Sequence, residues 1–440
     1  MMRPVAALAV AGFVGWGMPL PAATPPTAAI AAPASAEAAI DAFYAGRGDA
    51  PLWLERKRPL PHAAALVDMI EEAAADGLDP ADYDLAGLKA AVADSRRTDG
   101  ATLRDDKRLS RALLRYLADL SRPAPGVRVH VVDAALAPRP PDPAAVLGAL
   151  AAAASPVAEL RRLRQHNPLY TELRAALARE ARPERRAALR ASLERLRAIP
   201  AAPGRRFVLV DTASAQLWMY ADGRPAGRMK VVVGKPGMAT PLMAAFIRFV
   251  ALRPYWNVPP DLVRQTYAPR AAREGWQTIV RQRFEVLDGW GEAPRRLDPR
   301  RVDWRAVADG RRDVRVRQLP GAGNMMGRMK FMFPNPLGIY LHDTPGRWAF
   351  AEGERRFSAG CVRLEDADAL LSFVFGGAAP AMPKAARERA VDLPAPVPVY
   401  ITYLTARPDG AGGIAYHPDV EGRDAPLLAA LDPPARTALR

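Results

Sequence analysis

Two rhythms of apolar residues divide the chain. Up to about residue 198 they recur at helical spacing, and from about residue 205 they alternate in short runs. Ile40, Phe43 and Tyr44 share one helical face. Leu66, Met69, Ile70 and Ala73 share another, closed by Gly77. Asp79-Pro80 reads as a cap followed by proline at the first helical position. Residues 111–120 are helical again through Leu113, Leu114, Tyr116 and Leu117, and the proline-rich stretch 123–143 reads as a linker. Asp142-Pro143, Ser155-Pro156, Pro168 and Pro183 then open further helices, with 171–182 expected as one of them and Leu189, Leu193 and Leu196 facing inward on the last. Beyond it, 207–210, 216–220, 229–234, 247–252 and 397–402 predict short strands, and Asp222-Gly223 predicts a turn. The expected fold class is α+β and multidomain: an all-α domain over 37–200, then a mostly β domain over 205–405. Charged, partly helical sequence over 260–318 interrupts the β rhythm as an insertion, either a lid or a surface excursion. The glycine- and proline-bearing stretch 406–440 reads as a flexible tail.

Composition changes the picture in three ways. At 440 residues the chain is long enough for two or three domains with cores of their own. A formal charge of +15 raises the question of nucleic acid, but the arginines are scattered through Ala- and Pro-rich sequence and no nucleic-acid motif occurs. The reading is a basic surface suited to an anionic polymer. Met1-Met2-Arg3 and the apolar run 5–20, followed by small residues with cleavage expected after Ala23 or Ala31, read as a secretory leader. An uncleaved N-terminal anchor over 1–31 is the alternative, and no later segment is apolar enough to span a membrane. The single cysteine, Cys361, rules out an intramolecular disulfide.

That cysteine belongs to a stretch with its own alternation. Leu337, Ile339 and Leu341 define one face of an expected strand, and Tyr340 and His342 the other. In residues 361–364, Val362 and Leu364 are apolar while Cys361 and Arg363 point together. Pro345, Gly346 and Gly353 lie between and return the chain. Two neighbouring strands would then present a thiol, an imidazole and a guanidinium on one surface. A free thiol is only slightly ionised at neutral pH, and an imidazole within reach takes its proton. Gly360 lets backbone approach a substrate, and the amides at Gly360 and Cys361 are candidate oxyanion donors. Arg363 suits a carboxylate. A lone cysteine is otherwise a small buried hydrophobe, and a lone histidine structural.

His342-Asp343-Thr344-Pro345, with Ser358-Ala359-Gly360-Cys361-Val362-Arg363, resembles the signature of the L,D-transpeptidases of bacterial cell walls. The strings AIDAFYAGRGDAPLWL and DGLDPADY resemble the helical scaffold domain of the larger Gram-negative members, and ERLRAIP (194–200) the segment joining it to their catalytic domain. The chain has no room between Glu180 and Pro183 for the peptidoglycan-binding domain many of them carry. The resemblance implies periplasmic location, Cys361 as nucleophile, His342 as general base and acid, and no cofactor. Its substrates would be peptidoglycan stem peptides, one as donor and one as acceptor, and its expected inhibitors carbapenem-type β-lactams. Ser358 would orient the motif, Tyr340 would steady the imidazole, and Trp256 and Asn335 are candidates for the cleft. In relatives an insertion like 260–318 forms a lid. The same Cys–His pair also serves a hydrolase, and a non-catalytic wall-binding protein is a third reading. A zinc peptidase is poorly supported, because no HExxH or close His pair accompanies the one cysteine. A penicillin-binding serine enzyme lacks its Ser-x-x-Lys.

Overall fold

The computed structural model describes residues 35–55, 58–95, 103–291, 294–384 and 387–431. The leader expected in residues 1–31 lies outside the described residues. No described helix is long and apolar enough to cross a membrane.

The N-terminal half is helical, as its rhythm predicts: α1 (Ala36–Ala45), α2 (Pro61–Glu71), α3 (Leu85–Asp94), α4 (Leu103–Leu120), α5 (Pro143–Ala152), α6 (Pro156–Leu163), α7 (Pro168–Leu177) and α8 (Pro183–Leu196). Starts are set locally. The side chains of Asp142, Ser155 and Asn167 accept the amides of Ala145, Ala158 and Tyr170, and each cap precedes a proline with no N–H to lose. α7 therefore begins at Pro168, three residues before the expected 171, and ends at Leu177. Ile40, Tyr44, Leu66, Ile70, Leu113 and Leu117 are buried as their spacing requires.

Two buried carboxylates tie these helices together. Asp106 of α4 accepts amides from Leu52 (2.6 Å), Trp53 (2.9 Å) and Leu54 (2.9 Å), and the Tyr44 hydroxyl at 2.7 Å. The extended segment after α1 is thus tied to α4 by its backbone. Asp76, beyond α2, accepts from the Tyr116 hydroxyl at 2.9 Å, Arg174 at 3.0 Å and Arg164 at 3.2 Å. Burial makes a carboxylate costly in either place, and these hydrogen bonds offset part of that cost.

The β half is a sheet closed on itself. Its strands are β1 (Arg206–Asp211), β2 (Gln216–Ala221), β3 (Arg224–Gly234), β4 (Met243–Leu252), β5 (Met329–Met332), β6 (Leu341–His342), β7 (Val362–Leu364) and β8 (Arg389–Thr402). They neighbour one another in the order β5-β6-β7-β3-β2-β1-β8-β4, and β4 pairs back to β5 through Phe249–Leu252. The β6–β7 and β1–β8 pairs are parallel, whereas the others are antiparallel. Asp222 and Gly223 both have positive φ, as a tight turn between β2 and β3 demands.

Helices and sheet share one core. Leu189, Leu193 and Leu196 of α8 join Phe207, Leu209, Trp218 and Tyr400 in a single buried cluster. The stretch 123–143 is no free linker: His130 and Val131 pair with Met243 and Ala244 of β4, and Asp133 accepts the Phe246 amide at 2.8 Å. The tail also differs from expectation as far as residue 431. Ala406–Pro408 pairs with Ile414–Tyr416, and a helix over Asp424–Leu431 is held by Arg195 on Asp424 at 2.5 Å. Glycine and proline there mark tight turns between ordered pieces, not mobility.

Residues Tyr255–Pro320 and Pro334–Ile339 form a compact unit of their own. Four short antiparallel strands, in the order Arg296–Leu297, Phe284–Leu287, Arg315–Gln318 and Trp256–Asn257, pack with helices over Val258, Ile279, Val286, Trp304 and Val316. The insertion expected at 260–318 is therefore a folded module with a hydrophobic centre.

Asp106→Ala leaves three buried backbone amides without an acceptor, at about 1–3 kcal/mol each. Urea unfolding followed by far-ultraviolet circular dichroism should show a loss of at least about 3 kcal/mol, against little change for Asp41→Ala at the surface.

Candidate active site

The parallel pair β6–β7 sets the site. Its register matches Leu341 with Val362 and His342 with Arg363. Leu341 and Val362 are fully buried on one face, so His342 and Arg363 share the other, with Tyr340 and Cys361 one step back along it. The Val362 amide donates to the Tyr340 carbonyl at 2.9 Å, and the Tyr340 backbone hydrogen-bonds the Cys361 sulfur. The expected strand starts late, however. Residues 337–340 carry no strand and Leu337 is 41% exposed, because the Asn335 side chain folds this segment into a turn. Its Oδ1 accepts the amides of Leu337 (3.1 Å) and Ile339 (3.2 Å), and its Nδ2 donates to the Ile339 carbonyl at 2.7 Å.

His342 is 2% exposed, and its Nδ1 lies 2.6 Å from the Asp343 carbonyl. A carbonyl only accepts, so Nδ1 carries the proton and Nε2 keeps a lone pair. Burial, with the positive charges of Arg363 and Lys330, pushes the imidazole down to about 3. It is therefore neutral near pH 7. Cys361 is half-buried. Desolvation pushes its thiol up, while the Tyr340 backbone, Lys330 and Arg363 oppose that shift. The resting pair is a neutral thiol beside a neutral base. Arg363 has no ion-pair partner among the described residues, and burial lowers its own pKa.

The loop before the sulfur is braced from three directions. The Ser358 hydroxyl donates to the Cys361 carbonyl at 2.6 Å and accepts the Gly360 amide at 3.1 Å. That amide is spent inside the loop, so it is not the oxyanion donor expected of it. The Lys235 amide donates to the Ser358 carbonyl at 2.9 Å. Thr240, not singled out in the sequence as part of the site, accepts the Gly234 amide at 2.9 Å and donates to the Gly360 carbonyl at 2.8 Å. Gly360 has φ +111°, and a Cβ on Gly234 would sit 2.1 Å from the Met238 carbonyl oxygen, so both positions need glycine. A threonine in a loop carries no signal of such a bridge. Trp256 packs instead in the core of the inserted unit, its ring 6.1 Å from Phe284 and 6.2 Å from Tyr267.

A cleft of about 980 Å³ opens beside the residues that follow His342 and Leu364, lined among others by Arg228, Arg253, Arg328, Asp343 and Asp366. Neither Cys361 nor His342 lines it. No group of three or more acidic, histidine or cysteine side chains suited to a metal occurs among the described residues.

The closed sheet thus carries a cysteine and a buried, oriented histidine on one face. Residues 205–401 match the family model of the L,D-transpeptidase catalytic domain, and residues 38–177 that of the scaffold domain. The chain thus carries a scaffold domain followed by an L,D-transpeptidase catalytic domain. A Haemophilus influenzae protein named "Putative L,D-transpeptidase" is 32% identical over 237 residues, covering 52% of this chain and 47% of that protein. The chain thus spans about half the length of the curated relative it matches. Among solved structures, L,D-transpeptidase 3 from Mycobacterium tuberculosis is similar at 13% identity over 45% of this chain and 60% of its own, with a TM-score of 0.24. An L,D-transpeptidase from Mycobacterium smegmatis is similar at 12% identity over 45% and 58%, with a TM-score of 0.23.

Two outcomes follow from this geometry. Alkylation of Cys361 by iodoacetamide should rise roughly tenfold per pH unit between pH 6 and 8, as a neutral thiol demands. A plateau there would reveal a thiolate–imidazolium pair instead. Thr240→Val should cost about 1–3 kcal/mol in urea unfolding, by stranding the Gly234 amide and the Gly360 carbonyl, and should slow alkylation, whereas Thr240→Ser should keep both near wild type.

Proposed function

We propose that the protein is a peptidoglycan L,D-transpeptidase with Cys361 as nucleophile. The observation that carries this reading is the register of β6 and β7, which sets Cys361, His342 and Arg363 on one face. His342 Nε2 takes the thiol proton as sulfur attacks the carbonyl between a diamino acid and the terminal D-Ala of a stem tetrapeptide. The C–N bond breaks, the protonated imidazole returns its proton to the departing D-Ala amine, and a thioester remains. The side-chain amine of a second stem's diamino acid then attacks the thioester and loses its proton to His342, giving a 3→3 crosslink and a free thiol. Arg363, unpaired, suits a carboxylate of the stem. Tyr340 and Ser358 hold backbone around the sulfur.

Depression of the imidazole acts both ways in this cycle: it keeps Nε2 free of a proton, and it weakens that nitrogen as a base toward the thiol. A base already protonated near pH 7 takes no proton from the thiol, whereas buried neutral His342 does, and the imidazolium it becomes is a strong acid toward the leaving amine. Carbapenem-type β-lactams, as strained amides, would acylate the same sulfur. A secretory leader read from the sequence of residues 1–31 and the formal charge of +15 would suit export to the periplasm and work on an anionic wall.

Incubation of the purified protein with disaccharide-tetrapeptide, read by mass spectrometry, tests this. Crosslinked dimer with loss of D-Ala is expected, and Cys361→Ala should abolish it, at least about 10³-fold, with an unchanged unfolding curve. Tripeptide alone would identify water as the acceptor and make the enzyme a hydrolase. Unchanged substrate and unmodified Cys361 would remove both readings.

A further inference from the structure

The sequence motif supplies three functional side chains to the site face, Cys361, His342 and Arg363, but the sheet adds a fourth that lies outside the motif. In β5, Lys330 stands directly opposite His342, which in turn stands opposite Arg363 in β7. Three adjacent strands thus carry a lysine, a histidine and an arginine in one row, on the face shared with Cys361. The Lys330 ammonium rests 3.6 Å from the centroid of the Tyr340 ring. Tyr340 is the residue beside Cys361 across the β6–β7 pair. Lys330 is half-buried and makes no ion pair among the described residues. A lysine partly removed from water and held in no close ion pair is costly unless an anion lies near.

Few charges compete for that task. His342 is neutral, so it offers the sulfur a base and no positive field. The charged and titratable groups facing Lys330 are His342 from β6, Tyr340 before it, Cys361 and Arg363 at β7, and Glu388 just before β8. Of these, Cys361 and Glu388 attract it, and the sulfur is the stronger influence. We propose that Lys330 is a positioning residue of the nucleophile: a fixed cation, seated on the Tyr340 ring, that stabilises the Cys361 thiolate as it forms. The ring face holds the ammonium by cation–π attraction and prevents it from collapsing onto the sulfur. The charge assists proton loss without becoming a second proton acceptor, provided the ammonium stays protonated. Burial, which pulls the lysine's own pKa down, is opposed by that same thiolate.

The inference rests on Cys361 being the nucleophile, but its test reads the thiol itself and needs no wall substrate. Iodoacetamide alkylation of the full chain would be followed from pH 6 to 11, with urea unfolding as a check on the fold. In Lys330→Gln the midpoint should move up by about one pH unit, and in Lys330→Arg it should return close to the wild-type value. An unchanged midpoint in a folded Lys330→Gln would overturn the proposal. Should that variant not fold, the wild-type protein carries the test through the Lys330 ammonium signal in nuclear magnetic resonance. Alkylated protein has lost the anion, so its Lys330 should titrate at lower pH than in untreated protein. An identical titration before and after alkylation would overturn the proposal equally. Loss of crosslinking with an intact alkylation shift would count against the transpeptidase reading and leave this one standing.

Discussion

The two hydrogen-bonded strands β6 and β7 carry the candidate site, and their register is the constraint on which the rest depends. Strand side chains alternate with a period of two, so a slip of one residue would turn Cys361 and Arg363 to the opposite face from His342. Several features hold the register. Leu341 and Val362 are buried together, β7 is zipped to β3 through Arg363–Val232 and Leu364–Val231, and β6 is zipped to β5. Because β5 also pairs with β4, the sheet closes and neither short strand is left at an edge.

The helical half supports this closed sheet directly. α8 contributes three leucines to the core beneath β1, β2 and β8, and Arg195 of the same helix reaches the Tyr403 carbonyl at 3.1 Å. The extended piece through His130 and Val131 adds a further strand along β4. Asp76 and Asp106 set the helices relative to one another, since a buried carboxylate tolerates little displacement of its donors. The inserted unit is different in kind. It has its own sheet and its own apolar centre, and so meets the minimum condition for folding around itself.

Electrostatics in the site follow from burial combined with an excess of positive charge. The same cations act oppositely on the two reacting groups: Lys330 and Arg363 disfavour a charged imidazole and favour a charged sulfur. A histidine kept neutral and pinned through Nδ1 offers an open Nε2 lone pair, though its lowered basicity weakens it as a proton acceptor. A thiol raised by desolvation but faced by cations ionises when its proton has somewhere to go. The loop tied by Ser358 and Thr240 fixes where that happens.

Local chemistry made much of this legible in the residues alone. Asp142 and Ser155 announce helix starts because a cap acts within three residues, and Pro183 because proline in the first turn has no N–H to lose. Alternation around His342 and Cys361 announces two strands and a shared face because the period of a strand is a backbone property. The motif around Gly360 follows from its neighbours in the chain. What the residues left open is non-local. Asn335 turned an expected strand into a turn by bonding its own backbone, and a tail rich in glycine and proline proved ordered as far as residue 431 because Arg195 and Thr405 hold Asp424. Thr240 looks like any loop threonine until Gly234 and Gly360 arrive on either side of it. Lys330 looks like any strand lysine until closure of the sheet sets it opposite His342. The sequence by itself determined which groups are candidates for the chemistry and on which kind of element they sit. Only the tertiary structure decided which charges surround them, because field and desolvation depend on residues brought close through space, not along the chain.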